Sequence, residues 1–147
     1  MRTLKMIIIH CTATRCNQEF TEQQLLRAHL RMGMTEIGYH YYIRRNGSIV
    51  NTRAVDKIGA HCLGYNQYSI GIAYEGGLDE SGFPADTRTP RQCASLHRLV
   101  DVLRERYPTI ERVTGHRDLS PDVDGDGIVE PNEWVKLCPC FDVADEF

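Results

Sequence analysis

The sequence lacks any apolar run long enough to cross a bilayer. Its longest, "MIIIH" from Met6 to His10, falls far short of the ~20 residues a spanning helix needs. It lacks an h-region followed by a small-residue cleavage site, so no secretory signal is expected. It also lacks a positive field. Seventeen Lys and Arg face 20 Asp and Glu, giving a formal net charge of −3, so neither nucleic acid nor a membrane surface is an expected partner. There is no internal repeat, low-complexity tract or linker. What is present is 147 residues, 41% hydrophobic and 25% charged. That suits one monomeric domain with enough chain to bury a core without staples.

Six cysteines stand at Cys11, Cys16, Cys62, Cys93, Cys138 and Cys140. An even count in a short secreted chain would suggest a disulfide framework. The length, the missing signal and the expected core favour reduced thiols, one or more of them a metal ligand.

Hydrophobic periodicity and punctuation give the elements. "LKMIIIHC" is a compact apolar run that suits a strand buried on both faces. "TEQQLLRAHLRMG" opens with a Thr21-x-x-Gln24 capping box and stops at Gly33, which predicts a helix over about 22–32 with Leu25, Leu26, His29 and Met32 as its apolar stripe. "GYHYYIRRNGSIVNT" is a hairpin around Asn46-Gly47. "YSIGIAYEGG" is another strand. "TPRQCASLHRLVDVLRERYP" is a helix capped by Thr89, with Pro90 in its first turn and Cys93, Leu96, Val100, Leu103 and Tyr107 at helical spacing. "IERVTGH" is the last strand. The order predicts an α/β domain, a mixed central sheet with helices packed on it.

His10 ends the first strand and His116 the last, so the two meet if those strands are neighbours. Cys138 supplies a soft third donor. Two His and one Cys with an open fourth position is the pattern of a catalytic zinc site. A lone histidine at a strand end is more often structural or solvated than a ligand.

Five ordered blocks add to this: "IIIHCTAT", "GYHYYIRRNGSIV", "GAHCLGYNQYSIGI", "GHRDL" and "KLCPCFD". Together they resemble the zinc-dependent N-acetylmuramoyl-L-alanine amidases of the phage-lysozyme, or amidase-2, type, whose fold peptidoglycan recognition proteins share. The likeness covers roughly residues 4 to 142. It implies His10, His116 and Cys138 as zinc ligands, and Tyr39 and Lys136 as catalytic residues. It implies cleavage of the amide between the lactyl group of N-acetylmuramic acid and L-alanine of the stem peptide, with peptidoglycan as partner. Residues two apart in an extended segment share a face, so Lys136 and Cys138 can address one site. The "GAHCLGYNQYSIGI" block is expected to wall a substrate groove, with His61 and Asn66 as contacts. The alternative is that Asn66 shapes a loop and His61 is a surface histidine. The sequence departs from the pattern at Cys140, where relatives commonly have Ser. A single catalytic domain of this kind suits a phage or prophage endolysin, made in the cytoplasm and acting on the wall once released.

Asp122, Asp124, Asp126, Gly127 and Glu133 fit D-x-D-x-D-G-x5-E. In an EF-hand-like loop the aspartates give carboxylate oxygens, Ile128 a backbone carbonyl, Glu130 a water-bridged contact and Glu133 both oxygens, which predicts a structural calcium ion inserted near the C-terminus. Pro131 would open an exiting helix, "PNEWVKL". The bland alternative is an acidic solvated turn. Two further readings stand beside the enzyme: a non-catalytic peptidoglycan-binding module, which would have lost the Cys ligand, and a calcium-dependent interaction domain, which leaves the His and Cys blocks unexplained.

Overall fold

The computed structural model describes residues 2–147. Five strands form one sheet: β1 (Met6–Cys11), β3 (Tyr41–Ile43), β4 (Ile49–Asn51), β5 (Ser69–Tyr74) and β7 (Arg112–Gly115), in the order β4-β3-β5-β1-β7. All neighbours are parallel except the β3–β4 hairpin. Two short strands outside the sequence expectation, β2 (Thr14–Arg15) and β6 (Gly77–Leu78), pair separately. The expected mixed sheet with two helices is what forms. No helix among the described residues is long and apolar enough to cross a membrane.

The alternation of β1 divides the core. Ile7, Ile9 and Cys11 point to one face and join Ile70, Ile72 and Tyr74 against Leu96, Val100 and Leu103 of helix α2 (Pro90–Arg106). Losing such a buried Leu to Ala costs about 2–5 kcal/mol. The opposite face carries Tyr42 and Ala73 under Leu25 of helix α1 (Glu22–Arg31). Both helices start in capping boxes, Thr21 with Gln24 and Thr89 with Gln92. Gln92 has a second role that its spacing did not announce. Fully buried, its amide donates to the carbonyls of Ile43 (3.2 Å) and Glu75 (3.0 Å), fastening α2 to the ends of β3 and β5. The Asn46-Gly47 turn is held there too, because Ser95 Oγ donates to Gly47 O at 2.6 Å. Met32 departs from its expected place in the α1 stripe: it is 70% exposed. The helix ends at Arg31, so Met32 faces the groove described below instead of the core.

His40 is fully buried beside the sheet. Its Nδ1 accepts from Gly71 N–H (3.0 Å), so Nε2 carries the proton and donates to Lys57 O (2.8 Å). Burial pushes its pKa down to about 4, although the Lys57 carbonyl pulls the other way. The folded state therefore keeps His40 neutral while the unfolded chain takes up a proton below about 6.5. Its contribution to stability is full above about pH 6.5 and drains away as the pH falls toward about 4. Urea unfolding of wild type and His40→Asn across this window checks it. The variant should be less stable near neutrality but show a shallower acid slope. Equal slopes would refute the assignment.

Candidate active site

β1 and β7 run parallel with Ile9 opposite Gly115, so the next residue of each chain, His10 and His116, emerge side by side. Their ring centroids are 4.6 Å apart. His10 alternates with Ile9 and Cys11 and so points to the face that α2 does not cover. His116 opens a single 3-10 turn, His116–Leu119, in place of a last strand residue. Arg117 N–H donates to Cys138 O (2.9 Å), and Cys11 N–H points at Cys138 Sγ (3.2 Å). These two contacts bring the C-terminal segment in. One donor atom from each of His10, His116 and Cys138 falls within 4.8 Å of the others. Gly115 makes the approach possible, since a Cβ there would lie 2.9 Å from the Pro139 ring and from Asp118.

Cys140 goes elsewhere. It sits at φ 69° and its sulfur lies 4.0 Å from that of Cys11, on the α2 side of β1. Their contact acts in opposite senses on the two thiols, lowering the pKa of Cys11 and raising that of Cys140. Contacts with Cys138 and burial raise Cys11 to about 12, and the bond to Cys11 with burial raises Cys140. All six cysteines are unbridged.

Burial, with His61 and His116 nearby, holds His10 well below the ordinary histidine pKa. It is therefore a neutral imidazole, the form a metal takes. Tyr39 lies with its ring 5.0 Å from His10 and 5.3 Å from His29. Burial first, then Cys138, raises its pKa, so it remains a phenol. His29, read from sequence as part of an apolar stripe, accepts Gly38 N–H at Nδ1 (2.9 Å) and thereby sets the approach of Tyr39. The signal for it was a polar ring on an apolar helix face.

An open groove of about 410 Å³ lies over these residues, lined by His29, Tyr39, His61, His116, Lys136 and Cys138. It runs into a second hollow of about 450 Å³, which shares His61, His116 and Lys136 and adds Leu119, Pro121 and Val135. Met32, Leu63 and Val135, all strongly exposed, form apolar lips. Of the two residues expected to touch substrate, Asn66 lines the groove but commits its Oδ1 to the N–H groups of His61 (3.0 Å) and Cys62 (2.9 Å). His61 lies against His10, with Nδ1 at 2.9 Å from His10 Nε2.

The acidic loop is an excursion between His116 and Lys136. Asp122, Asp124 and Asp126 each bring an oxygen within 4.8 Å of the others. Glu133 does not join them. Its carboxylate accepts Val123, Asp124 and Glu130 N–H at 2.8, 3.1 and 2.9 Å. Ile128 and Glu130 are part of the exposed loop. The expected exiting helix is corrected to one 3-10 turn, Pro131–Glu133. Trp134 turns to extended geometry and puts its ring 3.9 Å from the Arg117 guanidinium, which breaks the helical path. The loop's neck is closed by Ser120 Oγ accepting Val135 N–H at 3.1 Å. Arg117 also pairs with Asp142. One buried arginine, which sequence reading passed over, therefore touches both ends of the segment that carries Lys136 and Cys138.

Fold and donor set together define the class as a hydrolase of the amidase type. The chain belongs to the N-acetylmuramoyl-L-alanine amidase family, whose model matches residues 1–133, and it is an amidase enzyme. An endolysin of Enterobacteria phage K11 is 33% identical over 135 residues, covering 92% of this chain and 80% of its own. An uncharacterized protein of Haemophilus influenzae is 47% identical over 98 residues, 67% of this chain and 84% of its own. The solved endolysin N-acetylmuramoyl-L-alanine amidase LysCS of Clostridium intestinale superposes with a TM-score of 0.73 at 30% identity, covering 96% of this chain and 78% of that one.

Arg117→Ala removes the stack on Trp134 and the pair with Asp142. An unfolding cost of about 1–3 kcal/mol is expected. Trp134 is the single tryptophan, so its emission should also shift to the red. An unchanged unfolding midpoint with unchanged emission would show that Arg117 does not hold the segment.

Proposed function

We propose that this chain is a single catalytic domain that hydrolyses the amide between N-acetylmuramic acid and L-alanine of peptidoglycan, with zinc held by His10, His116 and Cys138. The observation that carries it is the convergence of those three donors, His116 and Cys138 lining the groove and His10 buried beside them. The donor set suits zinc in its chemistry: neutral imidazole, soft sulfur, and a backbone N–H that helps orient Cys138 Sγ. When bound, the ion supplies Lewis-acid polarisation and a water acidified to a pKa of about 7.

The protein's own groups supply the rest. The groove, open along two joined hollows, suits a long polar polymer. Lys136 lines the same wall as Cys138 and puts positive charge where the carbonyl oxygen becomes negative. Tyr39 keeps its proton and donates from Oη, either to that oxygen or to the departing amine nitrogen of alanine. Water adds to the lactyl carbonyl, the C–N bond breaks, and a carboxylate and a free amine result. Likeness to phage endolysins supports a role in wall lysis, the enzyme reaching the wall after release from the cytoplasm. The presence of all three donors with Tyr39 and Lys136 favours this over a recognition module without catalysis.

We also infer that the loop of Asp122, Asp124, Asp126, Ile128, Glu130 and Glu133 takes calcium. Three converging carboxylates repel one another without a cation, and hard oxygen donors suit calcium. Glu133 would exchange its backbone donors for the ion.

Zinc content and release of stem peptide from a muramoyl-peptide test the first reading. Cys138→Ala should lose both. Tyr39→Phe should keep zinc and cleave about 100-fold more slowly or worse. Wild type with neither zinc nor released peptide would sink it. For the loop, calcium added to the zinc-replete protein should raise the melting temperature of wild type and not of Glu133→Gln. No rise in wild type would count against a calcium site.

A further inference from the structure

His61 is a partly buried, closely held side chain beside a candidate metal ligand, and the mechanism above does not use it. Its ring lies flat over two glycines. A Cβ on Gly71 would sit 2.6 Å from His61 Cδ2, and one on Gly59 would sit 2.6 Å from the same atom. Any other residue at either position would evict the ring. Asn66 fixes the backbone beneath it through the two N–H bonds already described. Ser69 Oγ stands 3.3 Å from Nε2, and His10 Nε2 stands 2.9 Å from Nδ1. Gly59, Asn66, Ser69 and Gly71 all belong to the block "GAHCLGYNQYSIGI". Three of its residues thus converge on the ring and Asn66 on the backbone that carries it, and that ring meets His10.

We propose that His61 is a positioning residue for the metal site: it accepts the Nε2 proton of His10, fixes that ring's rotation and tautomer, and leaves Nδ1 as the nitrogen free to bind the ion. The inference rests on the zinc reading given above. The proton order is self-consistent. His10 Nε2–H donates to His61 Nδ1, and His61 Nε2–H donates to Ser69 Oγ. A ligating imidazole whose other nitrogen donates to a fixed acceptor is better oriented and more basic, and removing such an acceptor weakens metal binding by about 10–100-fold.

Two substitutions separate the bond from the packing. Asparagine carries its amide near the place of Nδ1, so His61→Asn keeps a partner for His10 and loses Ser69. Glutamine reaches to the place of Nε2, so His61→Gln keeps Ser69 and loses His10. Zinc affinity of the metal-free proteins is measured by competition with a chromophoric chelator, alongside the visible spectrum of the cobalt-loaded forms and urea unfolding of the metal-free forms. His61→Gln should bind zinc about 10–100-fold more weakly with a shifted cobalt spectrum. His61→Asn should stay within a few-fold of wild type. Glutamine binding like wild type, or both variants weakened alike, would overturn the inference, and so would a raised KM with unchanged zinc affinity, which marks a substrate contact. Wild type without zinc would instead remove the metal reading beneath it.

Discussion

Ile9 pairs with Gly115 where β1 runs parallel to β7, and the site is a consequence of that register. Parallel neighbours end on the same side, so two residues more than a hundred positions apart leave the sheet together. A slip of one residue would turn His10 toward α2, against Ile70, Ile72 and Leu96, and turn Ile7 and Ile9 to the opposite face. The register is protected by burial: Ile7, Ile8 and Ile9 are completely inaccessible and cannot be shifted without exposing apolar surface or stranding a histidine in the core. Core and site are thus specified by the same six residues of β1.

The third donor is brought by another means. Cys138 lies outside any regular strand, and its placement relies on hydrogen bonds and one cation. Gly115 clears space for Pro139, Arg117 N–H takes the Cys138 carbonyl, and the Arg117 side chain spans Trp134 and Asp142. "GHRD" thereby reads as a bracket: glycine for clearance, histidine for the site, arginine for the tail, and Asp118 accepting Gly115 N–H at 3.0 Å to shape the turn. A segment held by so few contacts is cheap to displace, which fits a wall of a groove better than a member of a core.

The strands, both helices and their caps were legible because each is a local pattern: a compact apolar run, a helical stripe, Thr-x-x-Gln. His10, His116 and Cys138 were legible as chemistry, but their meeting depended on a strand order that periodicity does not encode. The roles of Gln92, His29 and Arg117 were not legible. Gln92 and Arg117 have partners far along the chain, and nothing near them marks them as buried. His29 falls on the apolar stripe, but its bond to Gly38 N–H cannot be read from that. The helix after Pro131 was misread for a related reason. "PNEWVKL" has helical propensity, but Trp134 gains more by stacking under Arg117 than by continuing the turn.

That stack also bears on why an acidic loop sits between two donors of one site. If an ion alone positioned Lys136 and Cys138, the loop would have to transmit its order through Pro131 to Val135. The protein already closes this path at its neck: Ser120 Oγ holds Val135, and Arg117 holds Trp134. Glu133 meanwhile satisfies three backbone donors within the loop. The segment on the site side of the neck is therefore anchored by protein contacts, and the acidic residues lie on its far side. A cation there would relieve carboxylate repulsion and stiffen the loop, acting on the site only through the neck. The two groups of donors are separated by protein contacts, hard oxygens outside and nitrogen and sulfur within, so that an ion at one would not share donors with the other.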